Sequence, residues 1–241
     1  MAEIPADCRP DSLAEAYAVQ AAVHTNLTAA GWGSISGHKI GCTTTVMQEY
    51  LKIDAPCAGG VFEKSVRLGE GHYDLATMCR PGVECEIAVR LAADLPGRDG
   101  GHSHDTVSPA VAAAMASIEL VDDRWQDFTV QPMTSLLADE FFGAGCVLGD
   151  GVTDWRELDL AAIAGRMTIN GNEVGAGVGG DILGHPLNAL VWLADLRAAR
   201  GQSLRAGEFV TLGSLVQTVW IDEGDEVIAE IDGLGRAVLR L

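Results

Sequence analysis

The chain has 241 residues, 48 % of them apolar, with 34 acidic against 16 basic side chains and a formal net charge of −18. That length and apolar content suit one large domain, or a main domain with a smaller annex. The charge excludes nucleic acid and anionic membranes as natural partners, and an anionic small substrate would need a strong local positive centre. No run of about 18 or more apolar residues reads as a membrane span. The opening "MAEIPADCRPDS" has no basic-then-apolar leader, so a cytoplasmic protein is expected. Six cysteines, Cys8, Cys42, Cys57, Cys79, Cys85 and Cys146, form no C-x-x-C pair and read as small core residues in a reducing compartment.

In chain order, "DSLAEAYAVQAAVHTNLTAAGWG" opens on a capping box, Ser12 to Glu15, and predicts a helix from Leu13 to about Ala30, stopped by Gly31. "GSISGHKIGCT" reads as a strand with Lys39 at its centre, and "TVMQEYLKI" as a short helix. "DAPCAGGVFEKSVRLGEGHYD" reads as a loop with a strand start. "PGVECEIAVRL", Pro81 to Leu91, alternates with period two and predicts a strand. "GRDGGHSHDTVSP" reads as a polar loop in which His102 and His104 are solvated. The alanine-rich "PAVAAAMAS" predicts a helix with proline near its start. "IELV" follows as buried strand, and Asp122, Asp123 and Arg124 read as a surface charge cluster.

From Gly145 on, short strands predominate: "GCVLGD", "GRMTING", "GEFVTLGSLVQTVWI" and "DEVIAEIDGLGRAVLRL", the last turning through Asp232-Gly233. One helix interrupts them, "HPLNALVWLADLRAARG", with Pro186 in its first turn, Gly201 past its end and His185 as its cap. "GAGVGG" matches G-x-G-x-x-G, but no strand-to-helix turn follows it directly, so a tight or flexible loop is expected rather than a dinucleotide site. Helices early and strands late point to an α+β chain with a β core.

Glu84 and Glu86 share one face of the predicted strand. Two readings stand open: an outer face of Glu84, Glu86 and Arg90 in water, or a hard-cation site in which Mg²⁺ or Mn²⁺ cancels the repulsion. Glu119, a charge between Ile118 and Leu120, is a candidate third ligand, because such a charge is rarely left unpaired. Lys39 taken alone reads as a snorkelling strand lysine.

The segments "GHKIGCTT", "VECEIAV", "SIELVDDR", "LADEFFGAGCVLG", "LGHPLNALVWLA" and "GDEVIAEIDGLG", in that order, resemble the fumarylacetoacetate hydrolase superfamily, in its 2-keto-4-pentenoate hydratase and 4-oxalocrotonate decarboxylase branch. The resemblance implies a β-roll or sandwich core over 78–241 with a smaller N-terminal α/β part over 1–77, homo-oligomers, association with a related pathway enzyme, and a Mg²⁺ or Mn²⁺ ion. It implies Glu84, Glu86 and Glu119 as metal ligands and Lys39 as the active-site lysine, with a pKa lowered by the cation. An aspartate usual in relatives falls on Lys64, with Glu63 beside it, so both are candidate catalytic residues, and Lys64 next to Lys39 would receive a second substrate carboxylate. Asp139 and Ser214 are candidate substrate contacts. Glu140, Phe141 and Phe142 replace smaller residues, and Leu212 replaces a common threonine. The implied activity is hydration of a 2-hydroxy-2,4-dienoate, a 2-oxo acid equivalent. Decarboxylation of a vinylogous 2-oxo diacid and hydrolysis of an acylpyruvate are alternatives, and a non-catalytic partner subunit is a third.

Overall fold

In the computed structural model, which describes residues 1–51 and 53–241, the chain begins with helix α1, Leu13–Leu27. Ser12 is extended and accepts from the amide of Glu15 at 3.2 Å, while the Glu15 carboxylate accepts from the amide of Asp11 at 2.8 Å. One orphan donor of the first turn, the Glu15 amide, and the Asp11 amide just ahead of the cap are thereby satisfied. A wider turn over Thr28–Trp32 follows, and Gly31 leaves it at a φ of 92°.

The remaining elements are β1 (Ile35–Gly41), α2 (Thr45–Leu51), β2 (Cys57–Phe62), β3 (Val66–Leu68), β4 (Glu70–His72), β5 (Pro81–Leu91), α3 (His104–Val107), β6 (Val111–Asp122), α4 (Met133–Ala138), β7 (Gly143–Leu148), β8 (Ala164–Ile169), β9 (Asn172–Val178), α5 (Pro186–Ala199), β10 (Phe209–Ser214), β11 (Val219–Trp220), β12 (Glu226–Ile231) and β13 (Gly235–Arg240). Two sheets hold them. The larger runs β2-β1-β10-β5-β6-β7-β3 with β11 beside β5, and the smaller runs β4-β13-β12-β8-β9. β2 also lies against β7, so the larger sheet curls on itself, and β12 and β13 of the smaller sheet pack across β6. The chain is thus α+β with a rolled β core. Among the described residues no helix is long and apolar enough to cross a membrane.

Strand β5 shows what this architecture asks of a sequence. Val83, Cys85, Ile87, Val89 and Leu91 enter the core between the sheets. The alternate residues face the inside of the curl, where Ala88 joins Val61, Ala113, Met115, Cys146, Leu148 and Phe209 in a second small cluster. Both faces are covered over Cys85–Val89, so Glu86 is buried, while Glu84 and Arg90 are half-buried. Each fully buried Ile or Val here contributes roughly 1.5–3 kcal/mol of hydrophobic stabilisation.

The same double covering corrects the reading of the alanine run. "PAVAAAMAS" is not a helix: Ser108–Ala110 is one tight turn, and β6 begins at Val111. β6 is a central strand, paired with β5 from Asp122↔Pro81 to Val111↔Leu91 and with β7 on its other edge. Ala114 and Ala116 fit the space between the sheets and Ala113 the inside of the curl. Tertiary burial overrides the local helix preference of alanine.

Three further expectations are corrected. "CAGGVF" is a fully buried strand, not a loop. Gly175 and Gly177 lie in the edge strand β9, where a Cβ would stand 2.2 Å from Val216 Cγ1 and 2.2 Å from the Leu215 carbonyl. Those glycines serve close approach of β9 to the turn that follows β10. Asp122 and Asp123 are buried, not a surface cluster: Asp122 accepts from the amides of Cys79 and Arg80, and Asp123 pairs with Arg80 and accepts from Trp125 N at 3.1 Å.

The helix at Pro186 and the His185 cap form as read, with His185 Nδ1 accepting from Leu187 N at 3.0 Å. The first 77 residues share both sheets with the rest of the chain: β1, β2 and β3 lie in the larger and β4 in the smaller.

Candidate metal centre

Antiparallel pairing sets the site. Glu84 stands directly opposite Glu119, and Glu86 opposite Ser117. Directly opposed residues project to the same face, so three carboxylates converge inside the curl. One oxygen from each of Glu84, Glu86 and Glu119 lies within 4.8 Å of the others. Glu86 and Glu119 are 1 % and 2 % exposed.

Each carboxylate is held from elsewhere in the chain. The amide of Gly213 donates to Glu86 Oε2 at 2.9 Å, and the hydroxyl of Thr218 donates to Glu84 Oε1. Lys39 Nζ stands 2.8 Å from Glu119 Oε1 and donates to the Phe141 carbonyl at 2.8 Å. Gly213 has a φ of 123°, and a Cβ there would lie 2.1 Å from Thr43 Oγ1, so only glycine lets β10 present that amide. Glu86 Oε1 and Glu119 Oε2 are buried and meet no protein donor among the described residues. The Thr211 hydroxyl, beside Lys39 in the β1–β10 pairing, is likewise buried without a partner.

The electrostatics follow from burial and crowding. Burial, and then the charge of Glu119, push the Glu84 carboxyl up to about 7 against the pull of Lys39 and Thr218. Burial, Glu119 and Glu84 drive Glu86 well above the usual carboxylate range. Burial lowers the Lys39 ammonium, but Glu119, Cys57 and Glu84 outweigh it and hold it above the usual lysine range. Carboxylates alone face the ammonium here and hold it up; the lowered pKa expected of Lys39 belongs to the site with its cation bound.

The structure separates Glu63 and Lys64 from this centre. Lys39 pairs with Gly59, whereas Glu63 follows the Phe62↔Ile35 pair at the other end of β1 and β2. Glu63 and Lys64 are exposed on a tight turn, Glu63 against Gly33 and Lys64 near Gly31. Lys64 is therefore not beside Lys39. Asp139 pairs with Arg124 at 3.0 Å. Ser214 stands opposite Glu86 in the β10–β5 pairing, and its hydroxyl lies 2.5 Å from the Val216 carbonyl and 3.3 Å from that of Cys85.

Sequence reading missed Cys57, Gly213, Thr218 and the Phe141 carbonyl. Cys57 pairs with Gly41 and so shares the face of Lys39, two positions along β1. Its thiol is raised by burial and then by neighbouring Cys42. A hairpin register for β1 and β2 would have found it. No local pattern links Thr218 to Glu84, which lies 134 residues away in the chain.

Residues 63–241 match the family described as fumarylacetoacetate (FAA) hydrolase C-terminal. The chain is 36 % identical over 221 residues to a 2-keto-4-pentenoate hydratase of Burkholderia vietnamiensis, covering 91 % of this chain and 82 % of that protein. It is 29 % identical over 229 residues to a 4-oxalocrotonate decarboxylase of Pseudomonas putida, covering 95 % and 85 %. Among solved structures it is similar to the 4-oxalocrotonate decarboxylase of Pseudomonas putida G7 complexed with magnesium and adipate. That match has a TM-score of 0.88 at 28 % identity and covers 95 % of this chain and 86 % of that one.

Proposed function

The chain belongs to the fumarylacetoacetate hydrolase family, and from that premise we propose a metal-dependent hydro-lyase of the 2-keto-4-pentenoate hydratase type, adding water to a 2-hydroxy-2,4-dienoate. One observation carries the reading. Three carboxylates from two strands, Glu86 and Glu119 buried and Glu84 half-buried, converge on one space, two of their oxygens lack a donor among the described residues, and a buried ammonium stands alongside. Left as three anions they would repel at high cost in a medium that solvates them poorly. A hard divalent ion, Mg²⁺ or Mn²⁺, fits an all-oxygen donor set of this charge. Glu84, Glu86 and Glu119 would hold it. The structurally similar decarboxylase is complexed with magnesium, which supports the same choice. When bound, the ion supplies Lewis-acid stabilisation of charge on the keto oxygen of a 2-oxo acid and the positive centre that an acidic protein otherwise lacks.

The chain's own groups do the rest. Lys39 has three N–H bonds; Glu119 and the Phe141 carbonyl take two, and the third is free to hold or pass a proton on the substrate. Gly213 and Thr218 fix the two β5 carboxylates so that they need not reorganise. Thr211 offers a buried hydroxyl beside the lysine.

Decarboxylation of a vinylogous 2-oxo diacid is the second reading, favoured by the similarity to the 4-oxalocrotonate decarboxylase. Incubation with Mn²⁺ and 2-hydroxypenta-2,4-dienoate separates the two: a hydratase consumes the conjugated absorbance without releasing CO₂. An inert dienoate together with CO₂ release from 4-oxalocrotonate would replace the first reading with the second. The exposed Val46, Met47 and Tyr50 of α2 support self-association, checked by light scattering. The six free cysteines support a reducing, cytoplasmic setting.

A further inference from the structure

Three consecutive residues beside the site, Glu140, Phe141 and Phe142, hold φ angles of 59°, 45° and 67°. None is glycine, so the run is strained and persists only where its surroundings fix it. The Glu140 side chain does the fixing. It is 7 % exposed, its Oε2 accepts from the amide of Gly60 at 2.9 Å, and its Oε1 pairs with His24 Nε2.

The glycines of β2 show where these groups lie. Gly59 pairs with Lys39 and Gly60 with His38, so their missing side chains mark opposite faces. A Cβ on Gly60 would lie 2.7 Å from His24 Cε1, which puts the imidazole on the face of His38. A Cβ on Gly59 would lie 3.1 Å from the Glu140 carbonyl and 3.3 Å from Lys39 Cγ, which puts the Glu140 backbone on the face of Lys39. β2 is the last strand of its sheet, so Glu140 passes around a free edge, capping one of its amides and reaching His24 beyond. The next carbonyl, that of Phe141, receives the Lys39 ammonium at 2.8 Å, and the Phe141 ring lies 5.1 Å from the same nitrogen.

We propose that His24 and Glu140 are positioning residues for Lys39: their imidazole–carboxylate contact at the edge of β2 latches the strained 140–142 run so that the Phe141 carbonyl and ring hold the ammonium against Glu119. The inference rests on the reading of Lys39 as the proton-handling group of the proposed hydratase. It explains why a buried carboxylate and Phe141 occupy this turn: the carboxylate anchors it and Phe141 faces the lysine.

The test uses the full chain with Mn²⁺ and the variants Glu140→Gln and His24→Gln. The first keeps an acceptor for Gly60 and loses the charge; the second keeps a polar side chain and loses the imidazole. Hydration of 2-hydroxypenta-2,4-dienoate gives kcat and KM, and acetylation by acetic anhydride, read by peptide mass, gives the reactivity of Lys39 relative to exposed Lys64. Both variants are expected to lower kcat between about ten- and a hundred-fold, with KM and Mn²⁺ affinity within about two-fold, and to speed labelling of Lys39. Unchanged Lys39 labelling in both variants overturns the proposal, whatever happens to thermal stability. A wild-type chain that consumes no dienoate overturns the functional reading instead, and the labelling comparison still decides the latch.

Discussion

Glu84 and Glu119 stand opposite each other on adjacent strands, and the lysine that balances them comes from a third strand, two places further across the sheet. The charge balance of the site is therefore tertiary, and each partner can be removed separately.

Glu86→Gln removes one negative charge and leaves a polar side chain of the same size. Mn²⁺ affinity is expected to fall by roughly a hundred-fold or more, since a hard cation loses an anionic ligand. The metal-free variant should unfold at a higher temperature than the metal-free parent, because a buried repulsion is gone. Calorimetric titration and a thermal melt check both; unchanged Mn²⁺ affinity would remove Glu86 from the ligand set.

Lys39→Met should leave a folded protein that still binds Mn²⁺ but loses activity, with kcat down by about 10²–10⁴ as for a lost acid–base group. A fall in Mn²⁺ affinity of the same size would mean that the lysine serves the metal rather than the substrate.

With the metal stripped by chelator, stability should decline as pH rises. The Glu84 carboxyl moves from an ordinary 4.5 to about 7 in the fold, and Glu86 is also raised. A carboxyl raised by folding contributes its full stabilisation below its unfolded pKa and loses it as pH climbs through the folded value. Urea unfolding with chelator should therefore give lower stability at pH 8 than at pH 5. Added Mn²⁺ should reverse the slope, since it binds the ionised site of the native state. Equal stabilities at the two pH values without metal would show that the three carboxylates are not crowded in solution.

Gly213→Ala places a Cβ into Thr43 at a positive φ. The strain is expected to cost about 1–3 kcal/mol or more, and the shifted amide should also weaken Mn²⁺ binding through Glu86. Glu63→Ala with Lys64→Ala is the contrasting pair. Both residues are exposed and remote from Lys39, so kcat and KM should stay within about two-fold, as for ordinary surface changes. A large loss would show that this turn reaches the substrate.

Much of the site was legible where chemistry and period coincide. Strand β5 has the bounds that its alternation gives, Pro81–Leu91, because a period of two leaves little choice of face. Glu119 stood out as a lone charge in an apolar run. What could not be read depends on which strands become neighbours. The "AAAMAS" run favours a helix by itself and is a strand because β5 and β7 flank it. The glycines of "CAGG" look like a loop, and they are a strand stripped of side chains to admit His24 and Glu140. Lys64 resembles a partner of Lys39 only while the β1–β2 register is ignored, because that register carries it past the far end of the pair.

β1 runs parallel to β10, with Lys39 paired to Thr211. The lysine leaves the ribosome before all three glutamates, and the Gly213 amide and Thr218 hydroxyl that steady Glu86 and Glu84 follow them. A nascent chain stalled before β10 has Lys39 and all three glutamates but not the scaffold that orients them. Assembly of the centre therefore waits on β10, and losing that strand disables a site whose acidic ligands all precede it.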